Sequence, residues 1–167
     1  KAEEMIKDLL EVKAQGDSCG GVIEVIAAGV PAGIGEPVFD KLSATIAHGI
    51  MSIGGVKGIE FGAGFSVAGM KGSENNDEFY YDEDGTVKTY TNNHGGILGG
   101  ISSGMPVIYR VAIKPTSSIA RKQRSVSLSK KENTILEIRG RHDPCIVPRA
   151  VPVVEAACAI ALLDYII

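Results

Sequence analysis

Apolar residues recur along this chain with two different periods, and the periods alternate. From Ala2 to Gln15, the apolar positions Met5, Ile6, Leu9, Leu10 and Ala14 are separated by charged residues, the spacing of an amphipathic helix. Gly16 to Gly21 breaks that pattern, and Val22 to Ile26 reads as a buried strand. Pro31 to Pro37 is a rigid loop. Beyond it, Phe39, Leu42, Ile46 and Ile50 form one stripe and predict a helix over Val38 to Ser52, ended by Gly54-Gly55. Val56 to Phe61, Met105 to Ile113 and Glu132 to Ile138 read as strands. Arg121 to Lys131 reads as a polar connection, and Lys71 to Gly85, acidic and rich in Asn, as an exposed loop. Pro148 to Ile167 is a helix entered at proline, apolar enough to be mostly buried. The alternation makes a mixed α and β protein, and 167 residues form about one domain.

Composition changes this picture in two places. Glycine supplies 21 of 167 residues, well above the usual ~7%, and much of it is clustered, so backbone turns tightly or packs close to something else. Charge is unevenly spread. Ten basic and three acidic residues lie between Arg110 and Arg149, so a segment of +7 sits on a chain whose net charge is −3. That contrast points to a local anion site, or to a solvated basic face, more than to general affinity for polyanions. Only 5% of residues are aromatic and none is Trp, which argues against base-stacking recognition of nucleic acid.

Cys19, Cys145 and Cys158 have no metal-ligand spacing, and free thiols in a reducing compartment such as the cytoplasm are the simplest reading. The most apolar run, Ala156 to Leu163, stops at Asp164, far short of the ~20 residues of a membrane span. Starting at Lys1 and stopping at Ile166-Ile167, the sequence reads as a piece of a longer chain.

Three segments carry candidate chemistry. Between Thr91 and Gly104 there are five glycines in ten residues, a pattern that is neither G-x-G-x-x-G nor a Walker loop; it is a structural turn or a ligand cradle. Lys114-Pro115-Thr116-Ser117-Ser118 offers a cation and three hydroxyls, donors suited to phosphate or to a cofactor's polar edge, or else a plain Ser/Thr turn. It follows the glycine segment across one strand, so the two are expected to converge if they share a ligand. Arg141-His142-Asp143 lies before Pro144 and Pro148, in a stretch too stiff for a helix interior, which holds adjacent side chains in fixed directions. His48, His94 and His142 are too scattered for a zinc site, and His48 and His94 read as readily as core or surface histidines. The acids of 74–84 lack calcium-loop spacing.

These segments together resemble the chorismate synthase family, specifically its C-terminal half. The matching pieces, in family order, are Asp17 to Gly21, Gly33 to Pro37, Ser52 to Gly58, Asn93 to Ser103, Lys114 to Ser118 and Gly140 to Glu155. The resemblance implies an α+β fold in which helices are layered between antiparallel sheets, residues 1–167 being about half of it, and a homotetramer. It implies a lyase that converts 5-enolpyruvylshikimate 3-phosphate to chorismate and phosphate, the last step of the shikimate pathway. Reduced FMN is required, with NADPH or an external flavin reductase as the source of reducing equivalents. Carried over residue by residue, the implied FMN contacts are Gly54, Gly55, Gly99, Lys114, Pro115, Thr116, Ser117, Ser118 and Arg141. Asp143 matches the aspartate that assists proton transfer at the flavin. Two departures stand out. Gly54 occupies a position where many relatives carry Asn or Pro, and the family's two catalytic histidines and its Arg-Ser-Ser flavin motif belong to an N-terminal half not present here. The chain alone is therefore expected to be inactive. The competing reading is a silent fragment or a non-enzymatic module that binds anions or nucleic acid through 110–149.

Overall fold

The computed structural model describes all residues from Lys1 to Ile167. Its centre is a three-stranded antiparallel sheet in the order β1 (Gly21–Ala27), β7 (Val107–Ile113), β2 (Val56–Phe61). Strict alternation in β7 makes the sheet two-faced. Val107, Tyr109, Val111 and Ile113 are buried on one face, whereas Ile108, Arg110 and Ala112 lie on the other. Helices α2 (Leu42–Met51) and α4 (Val147–Leu163) cover the first face. Leu42, Ile46 and Ile50 of α2 and Val154, Cys158 and Ala161 of α4 close a single core with the β7 side chains. On the open face, Glu24 and Glu60 flank Arg110 in cross-strand register, and Arg110 pairs with Glu60 at 2.8 Å. The fold is α+β, as expected.

Several expectations need correction. The second helix begins at Leu42, not Val38, because Val38 and Asp40 take left-handed backbone conformations (φ 67° and 54°) that no α-helix admits. Phe39 consequently leaves the stripe and is exposed. Leu42 N–H donates to the Gly100 carbonyl at 2.8 Å, so the glycine-rich turn starts this helix. The first strand is buried on one side only: Ile23 faces the core, Val22 and Ile26 face out. Helix α4 spans 147–163, and much of its apolar surface is open, including Val151, Val153, Ile160 and Leu163. Helix α1 (Ala2–Ala14) buries no residue at all.

The polar connection at 121–131 contains a strand, β8 (Gln123–Ser127), paired with β9 (Glu132–Leu136) in a hairpin outside the central sheet. Its residues are exposed or half-buried on both faces, so backbone pairing forms it without any alternation of hydrophobicity. The acidic stretch is ordered by its own charges. After a single helical turn, α3 (Gly72–Asn75), come strands β3 (Phe79–Tyr81) and β4 (Val87–Thr89). Asp82 closes their turn by accepting from the N–H groups of Asp84 and Thr86, and Lys88 pairs with it at 2.6 Å. No three His, Cys, Asp or Glu residues cluster so as to hold a metal ion.

Candidate functional site

The end of β7 delivers Lys114 to the base of α2, where Lys114 N–H donates to the Gly55 carbonyl at 2.9 Å. Gly55 needs its positive φ of 94° for this turn, and a Cβ there would press on Ile146 Cδ1 at 3.1 Å. Gly54 has neither constraint. Gly54→Ala is expected to change stability by less than ~0.5 kcal/mol and Gly55→Ala to cost about 1–2 kcal/mol, measured by thermal unfolding.

Loop 114–118 is then held from two sides. Ser18 Oγ donates to the Thr116 carbonyl at 2.6 Å, and Ser118 Oγ meets His142 Nδ1 at 3.2 Å. His142 Nε2 lies 3.1 Å from the Ile138 carbonyl, which can only accept, so Nε2 carries a proton. In the neutral ring, Nδ1 then accepts from the Ser118 hydroxyl. Cys19 N–H donates to the Pro144 carbonyl at 2.8 Å and ties the loop before β1 to the same stretch. Asp17, at the start of that loop, pairs with Arg121 at 2.6 Å; the Ser18 N–H first, and then Arg121, hold its carboxyl below the usual range.

Gly55, Lys114 to Ser118 and Arg141 to Asp143 therefore meet at one joint. Neither Lys114 nor Arg141 has a carboxylate partner, and both are exposed. Thr116 Oγ1 is buried with no hydrogen-bond partner. Within the trio the pairing differs from a simple neighbour reading: Asp143 Oδ2 contacts Arg149 in the first turn of α4 at 3.2 Å, not Arg141. Arg124, Lys130 and Lys131 sit on the β8–β9 hairpin, so the basic segment is not one patch.

Gly99 lies elsewhere. It occupies the turn between β5 (Ile97–Leu98) and β6 (Ile101–Ser102), at the start of α2, while Gly54 and Gly55 follow the end of that helix. Gly95 and Gly96 pack against Pro106 to Ile108, and the seven residues of β7 separate this end from Lys114 by roughly 20 Å. Within one chain the glycine turn and loop 114–118 do not converge.

A second polar cluster escaped the sequence. Asp77, from the acidic stretch, has a side chain only 5% exposed and accepts from Thr91 Oγ1 at 2.6 Å, from the N–H groups of Asn93 and His94 at 2.8 Å each, and from His94 Nδ1. His94 Nε2 meets Ser103 Oγ at 2.8 Å. No spacing connects Asp77 to His94, since they meet only when the hairpin folds back.

The family is decided by comparison over the whole chain. The model of the chorismate synthase family matches residues 1–167. This chain belongs to the chorismate synthase family. It is 57% identical to the chorismate synthase of Methanothermobacter thermautotrophicus over 166 residues, 99% of this chain and 44% of that protein. With the chorismate synthase of Acetivibrio thermocellus it shares 58% identity over 165 residues, 98% of this chain and 42% of the relative. A crystal structure of chorismate synthase superimposes with a TM-score of 0.78 at 36% identity, covering 98% of this chain and 42% of that one. The chain thus spans less than half the length of the chorismate synthases it matches, a family of lyases. No helix is long and apolar enough to cross a membrane.

Proposed function

We propose that this chain is the C-terminal portion of a chorismate synthase and forms part of its site for FMN and 5-enolpyruvylshikimate 3-phosphate. The joint of Gly55, Lys114 to Ser118 and Arg141 to Asp143 is the observation that carries this reading. It combines two unneutralised cations with a buried, partnerless Thr116 hydroxyl, donor chemistry that fits the phosphate or polar edge of a flavin.

Reduced FMN, held by Lys114, the hydroxyls of Thr116 to Ser118 and Arg141, would supply electron density for the loss of phosphate from the substrate. The residues of this chain bind, orient and move a proton. Lys114 attracts anionic oxygen as a mobile point charge, and Arg141 clamps a carboxylate or phosphate in bidentate fashion. Ser118 is oriented by His142, and the Ser18 bond fixes the carbonyl of Thr116, so the hydroxyl-bearing loop is set before a ligand arrives. Asp143, with Oδ2 held by Arg149, keeps Oδ1 as a proton acceptor. Gly99 belongs to this reading through the family resemblance, its turn lying at the other end of β7.

The uncovered apolar faces of α1, α4 and β1 fit an assembly in which further chain and other copies, as in a homotetramer, cover them. NADPH, or a separate flavin reductase, would keep the flavin reduced, and the free thiols accord with the cytoplasm.

Flavin titration of the full-length protein tests the reading. Lys114→Ala is expected to raise the FMN Kd about 10- to 100-fold, the loss of one charge-assisted contact. An unchanged Kd removes Lys114 from the site.

A further inference from the structure

Two of the three cysteines come together beside the proposed site. Cys19 stands in the loop before β1 and Cys145 in the loop before α4, and both line one cavity of about 180 Å³ with Met5, Leu9, Val22 and Val147. The backbone sets their spacing. Cys19 N–H donates at 2.8 Å to the carbonyl of Pro144, the residue next to Cys145. One such bond limits the two α-carbons to a separation of roughly 4–6.5 Å, which overlaps the ~4.4–6.8 Å of a disulfide. Gly20 lets the loop pack closely on the end of β7, since a Cβ there would lie 2.2 Å from the Ile113 carbonyl oxygen. Burial pushes the Cys19 thiol up, and the neighbouring Cys145 thiol adds to the push. Both cysteines are half-buried, so a small reagent can reach them, whereas Cys158 is buried against Tyr109.

We propose that Cys19 and Cys145 are a reversible dithiol–disulfide modification site whose reaction partner is a small-molecule disulfide such as oxidised glutathione. One cysteine thiolate attacks a sulfur of oxidised glutathione, forming a mixed disulfide and releasing one glutathione thiolate. The second cysteine gives up its proton and attacks the protein sulfur of that mixed disulfide, releasing the second glutathione. The two protein thiols lose two electrons, oxidised glutathione gains them, and the two thiol protons end on the two glutathione products. The bond formed staples loop 17–20 to loop 141–145. It lies next to Ser18, which holds Thr116, and two residues from Asp143, so it rigidifies the joint from behind. The inference goes beyond the flavin reading, and its test uses no flavin.

The test is disulfide mapping of the full-length protein. Samples are equilibrated with oxidised or reduced glutathione, blocked with N-ethylmaleimide, digested without reductant and analysed by mass spectrometry. The oxidised sample is expected to give the Cys19 and Cys145 peptides joined, two hydrogens lighter than the separate peptides, as its dominant linkage, and dithiothreitol is expected to restore both thiols. In Cys19→Ser the linkage disappears and Cys145 carries a single glutathione. Wild-type protein in which the two cysteines are blocked or glutathionylated singly, or linked mainly to other cysteines, overturns the proposal.

Discussion

Asp143→Asn in the full-length protein is expected to lower kcat about 100-fold or more while FMN and substrate affinities change little. The asparagine keeps the size of the aspartate and an oxygen for Arg149, but it cannot take up a proton. Arg141→Ala is the contrasting variant. It leaves the Asp143–Arg149 pair at 3.2 Å intact, removes an unneutralised cation, and is expected to weaken ligand binding by roughly 1.5–3 kcal/mol. Steady-state kinetics and flavin titration on both variants separate the two roles. Near wild-type turnover in Asp143→Asn, or a failure explained by lost flavin, would leave Asp143 as a tether between its loop and the first turn of α4.

The second large effect concerns the fold that presents the site. Asp77→Ala is expected to destabilise the protein by about 3–5 kcal/mol, because it strips the acceptor from two backbone N–H groups, one hydroxyl and a buried imidazole at once. The wild-type carboxyl also shapes the acid limb of stability. Burial pushes its pKa up, but the bonds from Thr91, Asn93 and His94 outweigh burial and bring it down to about 2. A carboxyl depressed in the folded state binds fewer protons there than in the unfolded chain, where its pKa is ~3.9. Its contribution, about 2–3 kcal/mol, is therefore complete above ~pH 4 and lost as pH falls toward 2. Urea midpoints of wild type and Asp77→Ala, followed from pH 6 to 2.5, are expected to converge on the acid side. Parallel curves would deny Asp77 this role.

What could be read from the sequence follows from which forces leave a periodic trace. The stripe Leu42, Ile46, Ile50 and the strand that becomes β7 were visible because each element buries one face against the core. Phe39 misled because hydrophobicity continues past the helix start, while the left-handed residues Val38 and Asp40 have no residue-type signature. The β8 strand was invisible because its pairing rests on backbone bonds, with little burial on either face. Much of α4 stays open although its sequence is apolar, since burial depends on what packs there. At the site, the donor-rich loop 114–118 and the trio 141–143 were legible as residue types. Their meeting through Ser118 and His142 and the Asp77–His94 cluster were not, because each joins distant positions that only the tertiary fold brings together, and the Asp143–Arg149 pairing depends on where the first turn of α4 aims its side chain.

The central claim is that loops 17–20, 52–55, 114–118 and 138–145 form one anion-binding joint for the flavin. Amide hydrogen exchange of the full-length protein with and without FMN tests it most directly. Slowed exchange on FMN addition is expected in this chain at Gly54 and Gly55, at Thr116 to Ser118 and from Arg139 to Asp143, with the β8–β9 hairpin unchanged. Protection confined to that hairpin, or absent from the joint while FMN is bound, would contradict it.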